Sequence, residues 1–131
     1  MTFETRRLAD APLVTAPDGS DVRIMLQVDA ASSIHVELAA GCTSIAVAHR
    51  TVEEIWYFIS GRGEMWRRSG DVEEVVAVEP GVSISIPVGT AFQFRSHGPG
   101  ALTAFCVTMP PWPSMDEAYE VEGPWEASTG A

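Results

Sequence analysis

Hydrophobic positions along this chain recur at a spacing of two, in short bursts. Val82, Ile84 and Ile86 alternate with Ser83 and Ser85, the period of a strand with one buried face. Similar bursts, rich in Val, Ile, Phe, Trp and Thr, run over Val22–Val28, Ile34–Leu38, Ser44–Ala48, Glu54–Ile59, Glu64–Arg68, Val72–Val78, Phe92–Arg95 and Leu102–Met109. Gly and Pro punctuate them: Ser69-Gly70-Asp71 and Glu79-Pro80-Gly81 have turn composition. Gly61-Arg62-Gly63 reads as a hairpin turn, because no helical pattern follows it. About nine short strands at regular turn spacing predict an all-β sandwich or closed barrel. No segment carries the spacing of an amphipathic helix, and Ser114–Tyr119 offers one turn at most.

The two ends break this pattern. Residues 1–20 carry Pro12, Pro17 and Gly19 and read as an N-terminal arm. Residues 21–109 hold the strand pattern. Residues 110–131 open on Pro110-Pro111-Trp112-Pro113 and are acidic, yet include Trp112, Tyr119 and Trp125. Disordered tails are poor in large aromatics, so this segment reads as a strap whose aromatics dock on the barrel, or as a solvated tail with one docked Trp.

Composition narrows the partners. The 131 residues carry a formal net charge of −10, which argues against nucleic acid and anionic membrane surfaces, since both need a basic face. Cys42 and Cys106 lie far apart among apolar neighbours, which suits small buried residues in a reducing cytoplasm better than a disulfide or zinc site. The N-terminal MTFETRRLAD has no apolar core of a signal peptide, and no stretch is long and apolar enough for a membrane helix. The expectation is a cytoplasmic, single-domain protein.

Two stretches of turn-forming residues carry a further signal. Gly41, His49, Glu54 and Gly61 resemble the first motif of the cupin superfamily, G-x5-H-x-H-x3,4-E-x6-G, with Val47 at the first His position. Gly81, Pro87 and Gly89 resemble the second, G-x5-P-x-G-x2-H-x3-N, with Phe92 in place of the His and Ser96 in place of the Asn. The resemblance covers about residues 22–109. It implies a double-stranded antiparallel β-barrel, a small jelly roll, usually dimeric, with the motif residues facing an interior cavity. Metal-dependent cupins hold their ion through three His and one Glu. Here only His49 and Glu54 remain, and valine and phenylalanine offer no lone pair. The expectation is therefore no resident metal cofactor; any ion would rest on His49 and Glu54, since stable sites supply three or more ligands. His35, Gln93 or His97 could complete a rearranged site, though their spacing does not require it.

Strand alternation puts Val47 and His49 on one face, and Glu54, Trp56 and Phe58 on one face of the next strand; the resemblance turns both faces inward. An imidazole and a carboxyl in an apolar pocket form a proton-transfer pair. Alternatively they are the scaffold left by an ancestral metal site. Val47, Trp56, Phe58, Phe92 and Phe94 are the candidate substrate-binding residues, shaping a pocket for an apolar or aromatic carbonyl compound; simple barrel filling is the competing reading. Trp66 belongs to the same aromatic set. Arg67, Arg95 and Gln93 are expected on the surface or facing away from the cavity. The expected activity is isomerase, lyase or cyclase chemistry on a small molecule, with His49 and Glu54 as acid and base. The alternatives are a non-catalytic small-molecule binder, and a metal-dependent dioxygenase or sugar isomerase with an unusual ligand set. No phosphate-cradling Gly loop, G-x-S-x-G, H-E-x-x-H or C-x-x-C occurs.

Overall fold

A computed structural model describes residues 2–128. Among them eleven strands form: β1 (Leu13–Thr15), β2 (Asp21–Gln27), β3 (Ser32–Leu38), β4 (Val47–His49), β5 (Glu53–Ser60), β6 (Gly63–Ser69), β7 (Val72–Val78), β8 (Ser83–Ile86), β9 (Ala91–Ser96), β10 (Leu102–Met109) and β11 (Ala118–Glu120). They make two antiparallel sheets, ordered β1-β2-β3-β10-β5-β8 and β11-β4-β9-β6-β7. The sheets face one another without closing into one hydrogen-bonded cylinder. No helix among the described residues is long and apolar enough to cross a membrane.

Alternation explains the core. In β5, Glu54, Trp56 and Phe58 are buried while Ile55, Tyr57 and Ile59 are exposed, as their period of two dictates. Val36, Leu38, Leu102, Ala104, Cys106, Ile84 and Ile86 join Trp56 and Phe58 from the same sheet. Val47, Met65, Val78, Phe92 and Phe94 meet them from the other.

Both ends of the chain are built into the sheets. β1 pairs with β2 at the edge of the larger sheet, so part of the segment read as an arm extends that sheet. β11 pairs with β4 in register Ala118↔His49, and a short 3-10 turn, Met115–Glu117, precedes it. Farther on, Trp125 packs with Trp66, Ala46 and Ala91 on the outer face of the smaller sheet. Gln93, completely buried there, donates from Nε2 to the carbonyls of Ser44 and Trp125, both at 2.8 Å. A Cβ on Gly123 would sit 2.6 Å from the Ala46 Cβ, so a larger residue there forces the strap or the sheet to shift.

One turn assignment needs correction. Gly61-Arg62 does not close a hairpin, because β5 and β6 belong to different sheets; the link carries the chain across the sandwich. Gly61 adopts φ +82°, and a Cβ there would stand 2.3 Å from the Ala101 carbonyl oxygen. The backbone of the β9–β10 connection leaves no room for a side chain. The tight hairpin is instead β6–β7, with Ser69 facing Val72 across Gly70-Asp71. Gly61→Ala therefore combines a strained backbone with a backbone collision. We expect a loss of about 2 kcal/mol or more in urea unfolding, against a change of under about 1 kcal/mol for Gly100→Ala, where a Cβ meets nothing within 4 Å.

Candidate functional site

Between the sheets lies a cavity of about 590 Å³, within the range of small-molecule sites. Its walls come from β2 and β3 (Val22, Ile34, Val36), from β4, β5 and β9, and from both chain ends (Ala16, Asp18, Trp112, Met115). His49, at the end of β4, and Glu54, at the start of β5, both line it.

The two groups approach without bonding. His49 Nδ1 stands 4.0 Å from Glu54 Oε1, beyond hydrogen-bond reach. His49 Nδ1 is buried and has no hydrogen-bond partner. Phe92 and Trp112 hold the ring by edge contacts at 5.2 and 5.0 Å between centroids. Glu54 Oε1 accepts from Trp56 Nε1 at 3.0 Å. Apolar walls fix the protonation states. Burial pushes the His49 imidazole down to about 4, against the attraction of the Glu117 carboxylate. Burial pushes Glu54 up to about 7; the Trp56 and Cys106 hydrogen bonds oppose this, while the negative charges of Asp18 and Glu117 add to it. At neutral pH the imidazole is uncharged, and the carboxyl is divided between its two forms.

Val47 and Phe92, at the positions where metal-binding cupins carry His, are cross-strand partners on β4 and β9 and both line the cavity. They put carbon where a ligand would be needed. Among the described residues no group of three or more His, Cys, Asp or Glu is arranged to hold an ion. His35 faces Arg23 and Phe105 across the larger sheet, and His97 lies 3.3 Å from Glu64. Neither they nor Gln93 line the cavity. The residues present do not fit the family's four-ligand metal centre.

Of the residues expected to shape the pocket, Val47, Trp56 and Phe92 line it, whereas Phe58 and Phe94 do not. These two are completely buried in the packed core, against Trp56 at 5.9 and 5.1 Å between ring centroids. The reason is position along the strands: Phe58 lies four residues beyond Glu54, deeper between the sheets. Trp66 faces the opposite side of its sheet, under Trp125.

Two acidic residues gain roles that their local sequence does not advertise. Asp18 lines the cavity from the N-terminal segment; its Oδ1 accepts from Ser20 N and Ser20 Oγ at 2.9 and 2.6 Å. Burial raises its carboxyl above the usual range despite those bonds. The only local signal is an Asp-Gly-Ser turn. Glu117 is buried in the strap, where Oε2 accepts the backbone N–H groups of Thr51 and Val52 at 2.7 and 2.9 Å. Its Oε1 accepts from Thr51 Oγ1 at 2.6 Å. Burial disfavours the Glu117 charge, but these three donors, helped by His49, hold its carboxyl below the ordinary value. Residues 50–53 join His49 to Glu54, so Glu117 clamps the segment that sets their separation.

Two facing antiparallel sheets around an apolar cavity, with the polar motif residues aimed into it, define a cupin-type barrel. The chain belongs to the cupin family: the Cupin domain profile matches residues 34–108. It is 30% identical over 110 residues to the uncharacterized protein MJ1618 of Methanocaldococcus jannaschii, covering 80% of this chain and 84% of that one. Among solved structures, Streptomyces PAC13 with uridine superposes with a TM-score of 0.72 at 19% identity, over 92% of each chain. KdgF from Halomonas sp. gives 0.69 at 17% identity, over 83% of this chain and 94% of that one. Pac13 is a nucleoside dehydratase. At these identities the likeness is one of fold.

The opposed shifts predict opposed pH dependences. A lowered His49 adds stability that is present above about pH 6.5 and is lost as pH falls through about 4. A raised Glu54 adds stability that is present below about pH 4.5 and is lost as pH rises through about 7. In the parent protein the two slopes largely cancel. Relative to His49→Gln, the parent gains stability from pH 4 to 6.5; relative to Glu54→Gln, it loses stability from pH 4.5 to 7. Each difference is of the order of 3 kcal/mol, read from urea unfolding at stepped pH.

Glu117→Ala leaves the N–H of Val52, buried, and that of Thr51, half-buried, without their acceptor. It is expected to cost about 2–3 kcal/mol in unfolding free energy, and to free Trp112, seen as a red-shifted difference spectrum against Trp112→Phe in the same background.

Proposed function

We propose that this protein is a small-molecule enzyme in which His49 and Glu54 perform acid–base chemistry, of the isomerase, lyase or cyclase kind, on an apolar carbonyl compound. The observation that carries this reading is the 4.0 Å separation of His49 Nδ1 and Glu54 Oε1 inside the cavity, with His49 Nδ1 lacking any hydrogen-bond partner. A pair that bonded to itself would be a structural unit. Held apart, His49 Nδ1 is left to a guest, and 4.0 Å lets it and Glu54 serve neighbouring atoms of one molecule.

The protonation states suit one direction of transfer. The neutral imidazole accepts a proton from the carbon beside a carbonyl, and the electron pair left behind moves toward the carbonyl oxygen. Protonated Glu54 supplies a proton to that oxygen, to a neighbouring carbon, or to a departing hydroxyl, which leaves as water. Returning the proton from imidazolium to carboxylate closes the cycle. A protonated carboxyl kept near neutrality by burial is the usual device for such a donor. Trp56, Phe92 and Val47 hold the apolar part of the guest and keep water out. The likeness of fold to Pac13, a nucleoside dehydratase, supports elimination among the possible outcomes. We further propose that the reaction uses no resident metal, since two of the family's four ligand positions carry carbon.

Incubation of the protein in deuterated water with a panel of small ketones, aldehydes and nucleosides, read by mass spectrometry, tests this. Exchange of the proton beside the carbonyl is expected, unchanged by EDTA, with rate limbs near pH 4 and 7 set by the two groups. His49→Gln and Glu54→Gln should each slow it by about a hundredfold or more. Exchange that survives both substitutions, or near-stoichiometric metal that His49→Ala removes, overturns the mechanism. A compound that raises the melting temperature yet never exchanges or reacts assigns the cavity to binding alone.

A further inference from the structure

The charges around the cavity are one-sided. Among the described residues, its ionisable lining residues are Asp18, Glu54 and His49; no Lys or Arg lines it. The chain contains no lysine at all, and its cations are eight arginines, none of which lines the cavity; six of them have partners elsewhere, although Arg67 Nε is buried without one. Arg67, on the same face of the smaller sheet as Phe92, bonds to Glu74 at 2.6 Å and to the Ser85 carbonyl at 2.7 Å. Arg95 pairs with Glu64 and covers Trp125. Arg50 reaches the Asp116 carbonyl and the Tyr119 ring, and Arg62 pairs with Glu79. Arg6 and Arg23 donate to backbone carbonyls of Ile24, Met25 and Ala11. Sites that take carboxylates, phosphates or sulfates supply a cationic fork, a helix N-terminus or a metal, and the cavity walls offer no such group.

Resting on the reading of this cavity as a small-molecule site, we infer that it selects guests without a negative group: an apolar body with an uncharged carbonyl or hydroxyl head lying between His49 and the two carboxyls. His49 Nδ1, buried and without a partner, meets a hydroxyl or a carbon-bound proton. Glu54, when protonated, donates to a carbonyl oxygen. An anion in the same place would lie behind apolar walls where no cation repays its lost hydration, and any charge that Asp18 or Glu54 carries would repel it with little screening. The same walls that keep Glu54 protonated make an anionic head costly. The reaction that supplies this substrate must therefore deliver it free of phosphate or carboxylate.

A matched pair of fluorescent probes isolates the charge. N-phenylnaphthylamine is uncharged, and anilinonaphthalene sulfonate is the same skeleton bearing a sulfonate. Only emission that Ala16→Phe abolishes is scored, because Ala16 lines the cavity and the larger side chain occupies it. The uncharged probe is expected to bind at least about tenfold more tightly. Asp18→Asn combined with Glu54→Gln should narrow that gap to about threefold or less, with each single substitution narrowing it in part. The single variants keep the comparison readable if the double variant fails to fold. Equal or tighter binding of the sulfonate overturns the inference, as does a gap indifferent to both carboxyls. Cavity binding of neither probe overturns it as well. Charge selection and proton transfer fail separately: equal dye binding leaves the deuterium exchange intact, and absent exchange leaves the dye preference intact.

Discussion

Removal of water from around His49, Glu54 and Asp18 is the constraint on which the rest of this molecule turns. In solvent these groups would be an imidazole near its ordinary value and two charged carboxylates. Between the sheets each loses hydration, and each moves toward its neutral form. The imidazole is pushed down and the carboxyls up. A neutral base and a proton-bearing acid therefore coexist at one pH, which two solvated groups of the same kinds would not do. Electrostatics between the carboxyls reinforces this, since Asp18 disfavours a second negative charge at Glu54.

The geometry is held by a charged group that remains ionised. Glu117 is also hidden from solvent, but it lies nearer the surface of the molecule than Glu54, and three donors outweigh burial and hold its carboxyl low. At Glu54 burial outweighs the donors that reach it; at Glu117, less deeply enclosed, the donors win. The bonds from Glu117 tie the strap to the segment between His49 and Glu54. Trp112, in the same strap, then presses its ring against His49. The wall of the cavity and the spacing of its polar pair thus depend on a segment that lies more than fifty residues later in the chain.

Val47 and Phe92 at two of the family's His positions bear on the state of His49 and Glu54. With Val47 and Phe92 side by side across β4 and β9, the wall opposite Glu54 is carbon. That substitution lowers the polarity of the site and strengthens the desolvation that perturbs His49 and Glu54. An arrangement that would weaken a metal centre therefore pushes both groups toward their neutral forms.

Much of this was legible in the chain itself. A period of two marked the inward residues of β5 and β8, because strand geometry alternates faces whatever the fold around it. Spaced glycines marked the turns, and Gly41, Gly61, Gly81 and Gly89 all adopt the positive φ that side chains resist. Those features, with His49 and Glu54 at motif spacing, determined the architecture and the central pair. Only the tertiary structure decided that Gly61 carries the chain between sheets, and that Phe58 and Phe94 lie beneath the cavity rather than on its wall. It also decided that Gln93 anchors the strap from behind, and that Asp18 and Glu117 belong to the site at all. Local pattern records which face a residue takes; it does not record depth along the strand, or which distant segment will cover that face. Those depend on packing between parts of the chain that share no sequence signal.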